Sequence, residues 1–241
     1  MPAGFQAFGN AEGYVGSAAW SPTNLGSLLA WYHADDATAS SWAPRGTADA
    51  NRVATQSTAS NRPTIGTVAG LNNKTAVQFP DDITDAKFMV TSAWSASLAQ
   101  PTSVYASALQ TGTSGNHYLF DGISGHRMGG YGNAARTQVN MFAGANVSAS
   151  PFTAGQSRVM GWEFNGASSN IYVNAVTASI TGDPGSGSAT GLTIGNYTGQ
   201  GVGNSGWSIR QMVVCLGVLS DADRALLMGF LGADIARTIG P

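Results

Sequence analysis

Apolar and polar positions alternate in short runs along most of this chain, and only at its end does the spacing become that of a helix. "TSVYASALQ" (102–110) sets Val104, Ala106 and Ala108 against Tyr105, Ser107 and Leu109, the two-residue period of a strand. "SLLAWYHA" (27–34) and "TAVQFP" (75–80) are shorter β-rich runs. "HYLFDG", "RMGGYG" and "TQVNMFA" follow at meander spacing, with glycine turns between them. "SRVMGWEFNGASSNIYVNAVTASI" (157–180) reads as a strand, a turn at Asn165-Gly166 and a second strand continuing through Asn174. "TGLTIGNY" and "WSIRQMVVCLGVL" complete the series, and the latter, the longest apolar run, predicts a central strand buried on both faces.

The final segment, "VLSDADRALLMGFLGADIA" (218–236), predicts the one helix. Ser220 is the N-cap, and Asp223 three residues on gives a capping-box pattern. Leu227, Phe230, Leu231 and Ile235 form one stripe, with Asp223, Arg224 and Asp234 off it. Gly229 and Gly232 weaken the helix in isolation, so tertiary packing must hold it.

Composition narrows the picture. The chain has 241 residues, of which 32 are Gly and 9 Pro, as expected of many short strands joined by turns in one sandwich domain. Only 10% of residues are charged and the net charge is −2, so the basic footprint of a nucleic-acid binder is missing. No apolar run is long enough to predict a membrane span. The opening residues have neither the basic nor the apolar region of a signal peptide. The one cysteine, Cys215, lies in an apolar run and reads as core, which suits a chain made in a reducing cytosol. Residues 1–19 carry a single charge and three aromatics, Phe5, Phe8 and Tyr14, and are read as an arm that packs or docks, preceding a domain at 20–241.

Several segments, taken in order, resemble the LamG-like, concanavalin A-like jelly-roll domains of bacteriophage structural proteins. "WSPTNLGSLLAWYHADDATA" (20–39) resembles their opening, followed by Trp42 and "ASNRPTI" (59–65). "LNNKTAVQFPDD" (71–82), "IYVNAV" (171–176), "LTIGNY" (192–197) and "GVLSDADRALLMGFLGADIA" (217–236) resemble the later family segments. The resemblance implies an all-β, concanavalin A-like (LamG-like) jelly-roll sandwich whose last strand is central and whose short C-terminal helix closes one end. His33, Pro80 and Ala175 depart from the family pattern at its turns and weaken the carry-over of a metal site.

Candidate chemistry is sparse. Asp35-Asp36 and Asp81-Asp82-Asp85 offer oxygens of the kind Ca²⁺ takes, but calcium needs six to eight ligands, and surface-turn carboxylates are the expectation, with no cofactor. His33, His117 and His126 are scattered, without metal-ligand spacing. Glycosidases of this fold class need two facing carboxylates. Glu163 in "GWEFNGAS" has no second acid beside it, so the expectation is a chain that is not an enzyme. Tyr131 and Tyr197, with Asn133, Arg136 and Asn196 beside them, either stack on and hydrogen-bond a sugar or pack at strand ends or on a neighbouring subunit. The resemblance implies a virion structural protein assembled in the host cytoplasm and displayed on the particle as a head decoration or tail-associated adhesin. On that reading Phe5, Phe8 and Tyr14 attach it to other virion proteins, copies associate as a homo-oligomer, and host surface glycans are its partner. The alternative is a bacterial carbohydrate-binding module acting outside a virion.

Overall fold

The computed structural model describes residues 20–46, 49–81, 86–95, 97–113, 115–123, 128–197 and 205–241. The arm residues Phe5, Phe8 and Tyr14, together with Asp82, Asp85 and His126, lie outside the described residues.

The strands come in chain order. First are β1 Leu28–His33, β2 Ser41–Trp42, β3 Ala54–Thr55, β4 Thr64–Val68, β5 Lys74–Phe79 and β6 Met89–Val90. Next are β7 Thr102–Gln110, β8 His117–Gly122, β9 Gly129–Gly132, β10 Val139–Phe142 and β11 Asn146–Ala149. Last are β12 Ser157–Phe164, β13 Ser169–Val173, β14 Ile180–Gly182, β15 Leu192–Ile194 and β16 Trp207–Leu216, followed by helix α1, Asp221–Asp234.

They form two antiparallel sheets packed face to face, a jelly-roll sandwich. The first sheet runs β14-β13-β12-β7-β16-β5-β4, and β1 also joins β16. The second runs β11-β10-β9-β8-β15-β6-β3-β2. The expected central strand is β16. It pairs with β7 along its length, while its other edge is shared by β5, opposite Trp207–Ile209, and β1, opposite Gln211–Cys215.

Alternation along the first sheet sends side chains into two cores. Tyr32, Val104, Ala106, Met160, Trp162 and Met212 point between the sheets, where they meet Phe120, Val139, Met141 and Ile194 of the second sheet. Trp31, Tyr105, Val159, Tyr172, Val213 and Cys215 point to the opposite face. Both faces of β7 and β16 are therefore covered, which explains the apolar run Met212–Leu216 of β16 and the full burial of every residue of β7. Trp162 and Trp207 also tie the sheets together. Their indole N–H groups donate to the backbone oxygens of Asn140 at 3.0 Å and His117 at 2.7 Å. Burying each indole contributes on the order of 4 kcal/mol, kept only because its N–H finds an acceptor. Gly130 on β9 makes room for this packing, since a Cβ there would stand 2.7 Å from the Trp162 ring.

The helix forms where its signals place it, with Ser220 Oγ accepting the Asp223 N–H at 3.1 Å. Its location corrects the expectation of an end cap. It lies across the outer face of the first sheet, where Leu227, Met228, Leu231 and Ile235 pack on Tyr105, Val159 and Cys215. That face carries large apolar side chains and needs a cover, as a sandwich end does not. Two positions of the helix also differ from expectation. Phe230 is only half-buried, with its ring edge-on to Trp20 and Trp31 at 5.7 Å. Arg224, expected off the stripe, is 8% exposed.

Candidate functional site

The ionisable groups that looked isolated in the sequence are gathered beneath the helix. Glu163 on β12 is fully buried on the outer face of the first sheet. The hydroxyls of Tyr105 and Tyr172 donate to it, that of Tyr172 at 2.8 Å, and Arg224 Nη1 lies 3.4 Å from its Oε1. Burial and the Glu163 carboxylate push both phenols well above their ordinary range, so they remain donors. Arg224 also pairs with Asp221 and sits 4.6 Å over the Tyr172 ring. With the helix laid over it, Glu163 presents no open face to a substrate.

A second cluster holds the other end of the helix. A register shift between Ile209 and Gln211 in β16 turns both Arg210 and Gln211 toward α1. Arg210 Nε donates to Asp234 at 2.7 Å, and its Nη1 and Nη2 grip Asp35 at 2.5 and 3.0 Å. Gln211 reaches Asp234 at 2.7 Å and accepts the Trp31 indole N–H at 2.9 Å. His33 Nδ1 accepts the Asp35 N–H, and burial with the nearby Arg210 charge lowers its pKa, which suits an acceptor. Asp36 pairs with Arg45, and Asp81 accepts the Thr113 N–H at 3.0 Å. Asp35 and Asp36, considered as oxygen ligands, thus hold arginines.

Both clusters left a trace in the sequence. Arg224 stands in the first turn of α1 and Asp234 in its last, each against the helix dipole. A charge placed the wrong way on a helix calls for a partner, here Glu163 and Arg210.

The residues expected to meet a sugar lie on and around the second sheet, on its face away from the core. Tyr118, which sequence reasoning passed over, stands between Tyr131 and Tyr197, with ring centroids 4.7 and 4.5 Å away. Tyr131 is 6% exposed and donates its hydroxyl to Asn146 at 2.8 Å. Asn133 accepts the N–H groups of Thr137 and Gln138 and closes the β9–β10 turn, in which Arg136 is exposed. Asn196 is fully buried, accepting the Tyr197 N–H and donating to Ser205. Tyr131 and Asn196, expected among the sugar-contacting residues, therefore pack within the protein. Stacking on a pyranose needs an open ring face, and of the three rings Tyr197 alone is half-buried rather than buried.

An open cleft of about 720 Å³ lies elsewhere, where residues 99–101, 165–166 and 183–188 converge. Gln100 fixes it, accepting the Gly166 N–H at 2.6 Å and donating to Gly185 O at 2.7 Å. Pro184 O accepts the N–H groups of Ala143 and Ala145, and Gly187 N–H donates to Ala143 O, anchoring the third loop to the second sheet. Asn165, Asp183, Ser186 and Ser188 line the cleft and are exposed. Asp183 accepts the Gly185 N–H with Oδ1 at 2.8 Å. Among the described residues, no protein group bonds its other oxygen or the side-chain polar atoms of Asn165, Ser186 and Ser188. No sequence signal marks this site, because its three loops are far apart in the chain.

No protein-family model matches the sequence. No curated protein matches it. Solved structures do match. The fold is shared with part of a sialidase. Trypanosoma rangeli sialidase in complex with sialic acid superposes with a TM-score of 0.62 at 13% identity, covering 90% of this chain and 34% of the sialidase. The same sialidase with the inhibitor DANA gives 0.58 at 14% identity, over 89% of this chain and 34% of that one. This chain thus spans about a third of the length of the sialidases it matches. Domain 4 of AbnA, a GH43 extracellular arabinanase of Geobacillus stearothermophilus, in complex with arabinotriose, gives 0.54 at 14% identity, over 83% of this chain and 98% of that domain.

These matches correct the expectation that the chain is not an enzyme. That expectation rested on the lack of a second acid beside Glu163, yet the structures that share this sandwich include sialidases. What the likeness shows is the fold.

Proposed function

We propose that this sandwich binds carbohydrate, and that the saccharide sits in the cleft formed by residues 99–101, 165–166 and 183–188. The observation that carries the reading is the cleft's chemistry. One carboxylate, one amide and two hydroxyls, all exposed, face a space whose walls are pinned by the Gln100 hydrogen bonds. Such a set can donate to and accept from vicinal sugar hydroxyls without reorganising. The volume falls in the range of roughly 300–1,000 Å³ usual for small-ligand sites. The arabinotriose-bound domain, which this chain matches over nearly that domain's whole length, supports the reading.

A glycan panel with calorimetry on its positives tests this. Asp183→Ala and Asn165→Ala should each weaken binding at least about tenfold, the loss expected for a hydrogen bond made to a ligand, with unchanged melting temperature for Asn165→Ala and only the small fall that loss of the Gly185 hydrogen bond brings for Asp183→Ala. Glycan affinity untouched by both variants would remove the cleft from the reading, and no binding across the panel would end it.

We also propose that the sandwich is displayed on a bacteriophage particle, with residues 1–19 as its attachment segment. The ordered series of LamG-like segments supports this setting, as do the aromatics of the arm, Phe5, Phe8 and Tyr14. A chain lacking residues 1–19 should fold and yet fail to join particles; incorporation equal to that of the full chain would refute the assignment.

A further inference from the structure

The cleft formed by residues 99–101, 165–166 and 183–188 carries charge of one sign. Among the described residues that line it, Asp183 is the one charged side chain, and neither a basic group nor an aromatic ring joins it. The Asp183 carboxylate is held in place. Its Oδ1 accepts the Gly185 N–H at 2.8 Å, and Pro184 O and the Gly187 N–H seat the same loop on the second sheet. Gly185, at φ +94°, lies so close to that sheet that a Cβ would stand 2.5 Å from Ala143 O. The carboxylate therefore keeps Oδ2 for a ligand and loses little freedom when it binds one.

The other polar groups divide by what they can still offer. Gln100 is spent on the walls, its Oε1 on the Gly166 N–H and its Nε2 on Gly185 O at 2.7 Å and Gly187 O at 3.3 Å. Asp183 Oδ2, the Asn165 amide and the hydroxyls of Ser186 and Ser188 are left among the described residues. Each of these can accept a hydrogen bond, and none donates from a positive charge. An ammonium group thus meets acceptors throughout, with a charge-assisted bond to the carboxylate that is roughly twice as strong as a neutral one. An acidic group meets Asp183 as a like charge, with no lining cation to offset the repulsion. With no ring to stack on, these polar groups decide which sugar is taken.

We infer that the cleft takes a saccharide bearing a free amine and turns away acidic ones. Asp183 Oδ2 accepts from the ammonium, while Asn165, Ser186 and Ser188 serve the neighbouring hydroxyls. The inference rests on the reading of this cleft as a sugar site and adds its specificity.

The test is calorimetry on the full chain at about pH 6, below the usual pKa of an amine and above that of a carboxylate. A glucosamine trimer, its fully N-acetylated counterpart and trigalacturonate are titrated separately. The free-amine trimer should bind at least about tenfold more tightly than the acetylated one, the margin between a charged and a neutral hydrogen bond. Trigalacturonate should show no saturation. Asp183→Asn, which keeps an acceptor for the Gly185 N–H, should erase most of the difference between the first two trimers. Asn165→Asp, which adds a second carboxylate, should widen it. Equal binding of those two trimers, tighter binding of trigalacturonate, or no binding of the free-amine trimer would overturn the inference. So would an amine preference unaltered in Asp183→Asn, which would mark attraction to the net charge of the chain. Binding without preference that is still weakened by Asn165→Ala would leave the cleft a sugar site, whereas silence across the whole glycan panel would end that reading as well.

Discussion

Replacing Arg224 by Met measures how much the helix depends on the carboxylate beneath it. Glu163 is fully buried and Arg224 is 8% exposed, so the pair is shielded from water. Removing one partner of a buried pair costs about 3–5 kcal/mol, because the other charge is left uncompensated. Here the carboxylate keeps the hydroxyls of Tyr105 and Tyr172, which places the expected loss at the low end, about 3 kcal/mol. The Asp221 contact adds little, since that side chain is 97% exposed. Methionine preserves the apolar cover over Tyr172. At about 2–4 °C per kcal/mol for a chain of this size, the melting temperature should fall by about 6–12 °C. Thermal and urea unfolding followed by tryptophan fluorescence read the change. Adding Glu163→Gln to Arg224→Met should recover part of the loss, although Glu163→Gln alone is destabilising. If Arg224→Met melts within about 2 °C of the parent, or if the two substitutions simply add, the pair does not anchor the helix as argued.

Two further outcomes follow from the same framework. The hydrogen bond from Arg210 holds the Asp35 carboxyl below the usual range, and Asp234 is also lowered, its burial being more than offset by Arg210. Depressed carboxylate pKa values give stability that is present above the unfolded-state value and lost as pH falls through the folded-state value; urea midpoints should therefore hold down to about pH 5 and drop below about pH 4. Asp35→Asn should flatten that acid limb, and an unchanged slope would show that the pair does not contribute. Gly195 has φ +86° and a Cβ there would stand 2.2 Å from the Phe79 ring, so Gly195→Ala should cost about 3 kcal/mol from strain and overpacking together. Gly217, at φ +77° with nothing within 4 Å, isolates the strain, and Gly217→Ala should cost about 1 kcal/mol; equal losses at the two sites, read by the same melts, would refute the packing account.

The sequence by itself determined the helix and ten of the sixteen strands among the described residues, leaving β2, β3, β4, β6, β11 and β14 unread. Alternation over 102–110 and 157–164 sets two faces on each strand, glycines mark the turns, and Ser220 with Asp223 starts the helix, all through contacts a few residues long. It also determined that β16 is buried on both sides, because its apolar run has no polar face to offer water. Tertiary structure decided what covers each face. The helix stripe is equally consistent with a sandwich end or a sheet surface, and the pairing of β1 with β16, which sets Trp31 beside Val213, made the outer face of the first sheet the larger apolar target. The same packing gave Arg224 and Asp234 partners that local spacing does not encode, Glu163 and Arg210 lying 61 and 24 residues away. It also buried Tyr131 against Tyr118 and joined residues 100, 166 and 185 through one glutamine side chain. Local patterns fix which side of an element avoids water. Which distant surface meets that side is settled only when all strands pair at once, and the cleft and the ion clusters arise at that step.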